Sequence, residues 1–188
     1  MTWSRRRVLK VGGALAGASA AGLLAGTARS GEARAAQGTA HRRIALINLH
    51  TGERLDSEFY RDGAYVPDAL SAIELLLRDF RSGERHVIDP GLMDYLVDVA
   101  HTAGVDPKFS VISGYRSSQT NANLREQSTG VAQHSLHMEG RAIDVRVTGV
   151  DCASLAAHAE DLKRGGVGYY RASDFVHLDT GAFRTWRG

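Results

Sequence analysis

The residues best placed to do chemistry lie in two short segments. The first is Ser135-Leu136-His137-Met138-Glu139-Gly140-Arg141-Ala142-Ile143-Asp144, in which His137 and Asp144 stand seven apart. The second is Phe175-Val176-His177-Leu178-Asp179, a run that reads as a late strand. Two imidazole nitrogens and one carboxylate oxygen, from His137, Asp144 and His177, suit Zn2+. Three protein ligands leave a fourth tetrahedral position for water, which is the pattern of a catalytic site rather than a structural one. Spacing alone does not decide the matter. Eight histidines in 188 residues place some beside acids by chance, so an ordinary packed His-Asp pair stands beside the metal reading.

These side chains need elements that aim them. Gly140 allows a tight turn, Ala142 is small enough for close packing, and Ala142–Val147 alternates as a strand that fixes the direction of Asp144. Upstream, Ile44–Leu49 and Arg54–Tyr60 read as strands joined by the turn His50-Thr51-Gly52-Glu53. Pro67 opens a helix whose apolar face carries Leu70, Ile73, Leu76 and Leu77 and continues to Phe80. Asp89-Pro90 caps a second helix that Gly104 closes. Phe109–Ser113 reads as a buried strand, and Ser117–Gln127 as a polar helix. A helix over Ser154–Leu162 ends at Gly165-Gly166, and Val167–Tyr170 pairs with Phe175–Asp179 around a turn at Arg171–Asp174. The order predicts a single α+β domain: an antiparallel sheet with flanking helices.

Bulk numbers narrow the function. Hydrophobic content of 43% and charged content of 23% are those of a globular chain. The net charge is +2, but residues 1–35 alone carry +5, which leaves the remainder at −3. A mildly acidic domain offers no electrostatic footprint for nucleic acid. The single cysteine, Cys152, excludes an internal disulfide and a thiolate metal cluster, and reads as a small packed residue.

Residues 1–35 read as an address. Ser4-Arg5-Arg6-Arg7-Val8-Leu9-Lys10 precedes an uncharged stretch over residues 11–28, and Ala33-Arg34-Ala35 offers a small-residue cleavage site. The arginine pair resembles that of a twin-arginine signal, whose route exports folded proteins. The apolar stretch is short and rich in glycine for a membrane span, so no stable span is expected after cleavage. The expectation is a signal peptide over residues 1–35 and a periplasmic domain over 36–188.

His137-x-x-Gly140-x-Ala142-x-Asp144, followed by His177 on a late strand, resembles a superfamily of zinc peptidases. It includes D-Ala-D-Ala dipeptidases and carboxypeptidases, phage endolysins and the penicillin-insensitive murein endopeptidase. The Hedgehog signalling domain shares the fold, and Ser135-Leu136-His137-Met138-Glu139-Gly140-Arg141-Ala142 is very similar to its segment. Within the group the chain looks most like the murein endopeptidase K family. That likeness runs through Leu49–Glu53, Ile112-Ser113-Gly114-Tyr115-Arg116-Ser117, Gly165–Tyr170 and Phe175–Gly181, nearly all of the mature chain. The resemblance implies one zinc ion at His137, Asp144 and His177. It also implies hydrolysis of peptidoglycan stem-peptide cross-links, between D-Ala and diaminopimelate or between two diaminopimelates.

A zinc peptidase also needs a carboxylate to move the proton of water to the leaving amine. Asp174 stands three residues before His177, where the dipeptidases carry Glu, with a side chain one methylene shorter. Asp179, two residues after His177, shares its strand face and serves either as the base or as a group that orients the ligand. The family resemblance puts Arg116 in the active site, where a guanidinium fork suits a carboxylate or an oxyanion. His134 is expected in solvated loop near the cleft, and Tyr169 and Tyr170 either shape the groove or pack within the strands. A carboxypeptidase that trims stem peptides, and a non-catalytic zinc module that binds the wall, are the competing functions.

Overall fold

A computed structural model describes residues 41–127 and 131–188. The leader expected over residues 1–35 lies outside the described residues.

Among the described residues eight strands form one sheet: β1 (Arg42–Asn48), β2 (Arg54–Arg61), β3 (Ala64–Tyr65), β4 (Lys108–Ser113), β5 (Ala142–Val147), β6 (Gly166–Tyr170), β7 (Phe175–Asp179) and β8 (Arg184–Arg187). Their order across the sheet is β3-β2-β1-β4-β5-β7-β6-β8. Among the described residues four α-helices accompany them: α1 (Pro67–Leu76), α2 (Pro90–Thr102), α3 (Ser118–Gln127) and α4 (Cys152–Leu162). A 3-10 turn spans Leu136–Glu139. The α+β class expected from the sequence is the class observed.

The sheet is mostly antiparallel, with two exceptions. β1 pairs with β4 in parallel, and so does β6 with β8. Both follow from connections that a local reading does not resolve. Between β1 and β4 the chain completes the β2–β3 hairpin and returns through α1 and α2, so β4 enters beside β1 in the same direction. Residues 180–183 carry the chain from β7 past β6 to its free edge, where β8 adds as a parallel strand.

Alternation of side chains divides the sheet into two faces. Ile44, Leu46, Phe109, Val111, Ile143, Val145, Val147, Val167, Val176 and Leu178 are buried on one face. There they pack with Leu92, Leu96 and Val99 of α2 and Leu155, Ala156 and Ala159 of α4 in one core. Each such side chain contributes roughly 1.5–3 kcal/mol by leaving water. The residues between them, including Ser110, Asp144, Arg146 and His177, point to the opposite face. Burial of the core face therefore forces the polar residues of β5 and β7 together on the other side.

Several local expectations shift. α1 stops at Leu76, and Phe80 instead stacks on His50 at the β1–β2 turn, with ring centroids 3.8 Å apart. Asp89 caps α2 as expected, accepting a hydrogen bond from the Gly91 amide. α4 begins at Cys152 rather than Ser154, because Asp151 is its cap and accepts from the Ser154 amide. α4 ends at Leu162, with Lys163 in the left-handed conformation. Gly165 and Gly166 do not end it. A Cβ on either would collide with Asp179, so their role is close approach of β6 to the end of β7.

Candidate active site

Each of the three expected metal donors is aimed by a different piece of backbone. His137 lies on the 3-10 turn, which Gly140 closes at φ +67°, a conformation that L side chains rarely adopt. Asp144 lies on β5 and His177 directly opposite it on β7. Together, His137, Asp144 and His177 offer three ligand atoms within 4.8 Å of one another. His137 Nε2 is 3.1 Å from His177 Nδ1, and each nitrogen is near Asp144 Oδ1, at 3.3 and 2.9 Å.

The far nitrogen of each imidazole is occupied. His137 Nδ1 donates to the Gly114 carbonyl at 2.7 Å, which leaves Nε2 as the atom facing the other donors. His177 Nε2 donates to Asp179 Oδ2 at 3.0 Å, which leaves Nδ1. A hydrogen bond behind each ring sets its tautomer and orientation, as metal-binding histidines require. The chemistry of this donor set therefore fits a metal ion held by His137 Nε2, Asp144 and His177 Nδ1.

Electrostatics favour charge on the acid. Burial opposes ionisation of Asp144, but His137 and His177 outweigh it and hold the carboxyl far below the usual carboxylate range. Burial disfavours the His177 cation, yet the hydrogen bonds to Asp144 and Asp179 outweigh it and push that imidazole up to about 9. Burial pushes His137 down. The buried carboxylate is thus the charge around which the two imidazoles are gathered.

Asp179 is fully buried at the end of β7. Its carboxylate accepts from His177, from the Gly166 and Gly181 amides, and from Arg184 through two nitrogens at 3.0 and 2.7 Å. With both oxygens engaged, it faces His177 and not the cleft. The alternative reading of Asp179 as a proton acceptor from water has no open oxygen to support it.

Asp174 stands elsewhere. It occupies the β6–β7 turn at φ +51°, its side chain 68% exposed and paired with Arg146 at 3.3 Å. The structure does not bring it to the cleft. Its carboxylate lies instead against Arg146 of β5.

Arg116 does reach the cleft. Its guanidinium is 3.8 Å from Asp144 Oδ2, and it donates to Asn121 Oδ1 at 3.3 Å and Ser113 Oγ at 3.4 Å. Its Nε is buried without a partner. The segment that carries it is held from below. The Tyr115 amide donates to the Leu77 carbonyl, and the Arg116 amide to the His137 carbonyl. Asp79, buried, accepts from the Ser117 amide and hydroxyl. Ser117 Oγ in turn accepts from the Thr120 amide and caps α3.

These groups line a cleft of about 450 Å3. Arg116, His137, Asp144, Tyr170, Arg184 and Trp186 are on its lining, and so is the exposed His134. Tyr169 instead packs against the core. Sequence reasoning missed Asp79, Arg184 and Trp186. Asp79 and Arg184 carry no signal, since a lone charged residue becomes informative only through a distant partner. Trp186 offered one, being the only tryptophan after residue 3.

An α+β sheet that gathers two histidines, an aspartate and an arginine at one open cleft defines a peptidase of the kind the motifs resemble. Residues 35–186 match the family model described as peptidoglycan L,D-endopeptidase MepK. The "probable peptidoglycan L,D-endopeptidase MepK" of Haemophilus influenzae is 42% identical over 146 residues, covering 77% of this chain and 78% of the relative. The peptidoglycan L,D-endopeptidases MepK of Escherichia coli K12 and Shigella flexneri are each 41% identical over 143 residues, 76% of this chain and 79% of theirs. The chain belongs to this MepK family of peptidases.

Proposed function

We propose that the chain is an exported, zinc-dependent endopeptidase that hydrolyses peptide cross-links of peptidoglycan, and that it cuts the L,D type of bond named in its relatives. The observation that supports this best is the convergence of His137, Asp144 and His177, each oriented by a further hydrogen bond, in a chain of this family. Those three residues would hold the ion. When bound there, zinc supplies a Lewis acid that polarises a carbonyl and acidifies water.

The protein's own residues do the rest. Arg116, on the lining of the cleft, binds the carbonyl oxygen of the scissile peptide or a carboxylate beside it. Asp179, anchored by Arg184, keeps the proton on His177 Nε2 and so keeps Nδ1 available. Asp174 and Asp179 are not on the lining of the cleft and His134 is, which supports His134 as the group that accepts and returns the catalytic proton.

The test is incubation of purified protein with cross-linked muropeptides carrying 3-3 or 4-3 bridges, with and without a chelator. Release of monomers from the 3-3 bridge, abolished by chelator and restored by zinc, is expected. His137→Ala should lose both the metal and hydrolysis. Activity that survives in metal-free protein removes the zinc reading. Cleavage only of 4-3 bridges removes the L,D assignment, and release of terminal residues alone makes the chain a carboxypeptidase.

A further inference from the structure

The strand at the free edge of the sheet does more than extend it. Asp144 pairs with His177, His177 with Gly168, and Gly168 with Trp186. Residues directly opposite in a sheet share a face, so these four form one row across β5, β7, β6 and β8. The row begins at the carboxylate of the candidate metal centre and ends at an indole.

Gly168 lets the indole lie down in that row. A Cβ there would overlap Cε2, Cζ2 and Nε1 of Trp186, so any other residue would lift the ring away from the sheet. Three further contacts hold it. Trp186 Nε1 donates to the Tyr170 hydroxyl at 3.0 Å, and Tyr170 is itself stacked on Phe175 with ring centroids 4.6 Å apart. The Arg184 guanidinium lies 5.1 Å from the indole, its charge balanced by Asp179. The ring stands 5.2 Å from the His177 imidazole and stays half-buried, with part of it on the lining of the cleft.

We infer that Trp186 is a substrate-positioning residue, and that its indole, seated on Gly168, is the apolar wall that packs against the aliphatic part of the stem-peptide residue on the His177 side of the scissile bond. The inference rests on the peptidoglycan reading above. Residues flanking such a cross-link carry methyl or polymethylene side chains, which gain by leaving water for an aromatic face. On the opposite side of the three donors stands the Arg116 guanidinium, 3.8 Å from Asp144. A peptide lying across the centre thus meets a cation at one end and an indole at the other. The cleft accepts it in one direction only, with an oxyanion or carboxylate toward Arg116 and hydrocarbon toward Trp186.

The experiment uses the full chain and a 3-3 cross-linked muropeptide as substrate. Trp186→Ala should raise KM about tenfold or more with a much smaller change in kcat and an unchanged metal content. Trp186→Phe should recover most of the KM. Gly168→Ala, which displaces the ring without removing it, should resemble Trp186→Ala. A direct binding readout accompanies these. In a Trp3→Phe background Trp186 is the sole tryptophan. Titration with the disaccharide tripeptide ending in diaminopimelate should shift its emission saturably. An unchanged KM in Trp186→Ala, or an emission unmoved by a peptide concentration that inhibits turnover, overturns the inference. A fall in kcat together with metal loss overturns it too, since the ring would then only brace His177. If the parent chain leaves the muropeptide intact, the functional reading has failed first, and the titration with the tripeptide still decides whether Trp186 lines a site for this peptide.

Discussion

At the scale of single residues, the site is governed by what stands behind each donor. His177 depends on Asp179, and Asp179 on Arg184 and two backbone amides. Asp179→Asn removes a charge that four donors are arranged to meet. It should weaken metal affinity by about 10- to 100-fold, read by chelator competition, with turnover restored at high zinc. A loss of turnover at full metal occupancy would make Asp179 a direct participant instead. The proton acceptor is decided by a comparison. Asp174 pairs with Arg146 on an exposed turn, whereas His134 borders the cleft. Asp174→Asn should leave turnover within about twofold of the parent. His134→Ala should lower kcat by roughly 10²–10⁴-fold with zinc retained. The reverse result would show that the β6–β7 turn rearranges over substrate.

At the scale of elements, the loop from β4 into α3 depends on one buried carboxylate. Asp79 accepts from the Ser117 amide and hydroxyl and from the Arg81 amide, and Ser117 caps α3. Burial opposes the charge on Asp79, but these hydrogen bonds and one from Thr120 outweigh it and hold its pKa down at about 2. A carboxyl near 4 in the unfolded chain thus becomes more acidic on folding. Its contribution is fully present above pH 4 and fades as the pH falls through about 2, and it amounts to about 2 kcal/mol. Asp79→Asn should be destabilised by about that much at neutral pH and show a flatter acid limb, measured by denaturant unfolding at several pH values. Because Arg116 lies one residue before Ser117, the variant should also lose turnover more than metal.

At the scale of the whole molecule, one face of the sheet is sealed by α2 and α4, and the other carries the cleft. Among the described residues no helix is long and apolar enough to cross a membrane. We propose that export rests on the Arg5-Arg6 pair of residues 1–35. Arg5→Lys with Arg6→Lys should leave uncleaved precursor in the cytoplasm, followed by immunoblot of cell fractions. Normal periplasmic accumulation of the double variant would show that another export route is used.

Much of this was legible in the sequence because it is local. Strand alternation placed Asp144 and His177 on β5 and β7, turn residues marked the hairpins, and the His137–Asp144 motif identified the family. Whether Asp174 or Asp179 met the cleft was not legible. Spacing along a chain says which face a strand residue occupies, but not which distant groups occupy its hydrogen bonds. Asp179 is taken up by Arg184 and by the amides of Gly166 and Gly181, and Asp174 by Arg146 from a neighbouring strand. The two parallel pairings, the hold of Asp79 on the Arg116 loop, and the seat of Trp186 on Gly168 share that cause. Each joins segments whose proximity is set by the path of the chain around the core. The sequence by itself determined the candidate donors and the strands of Asp144 and His177, and only the tertiary structure decided their neighbours, because the burial that drives folding is indifferent to which polar groups it brings together on the face it leaves open.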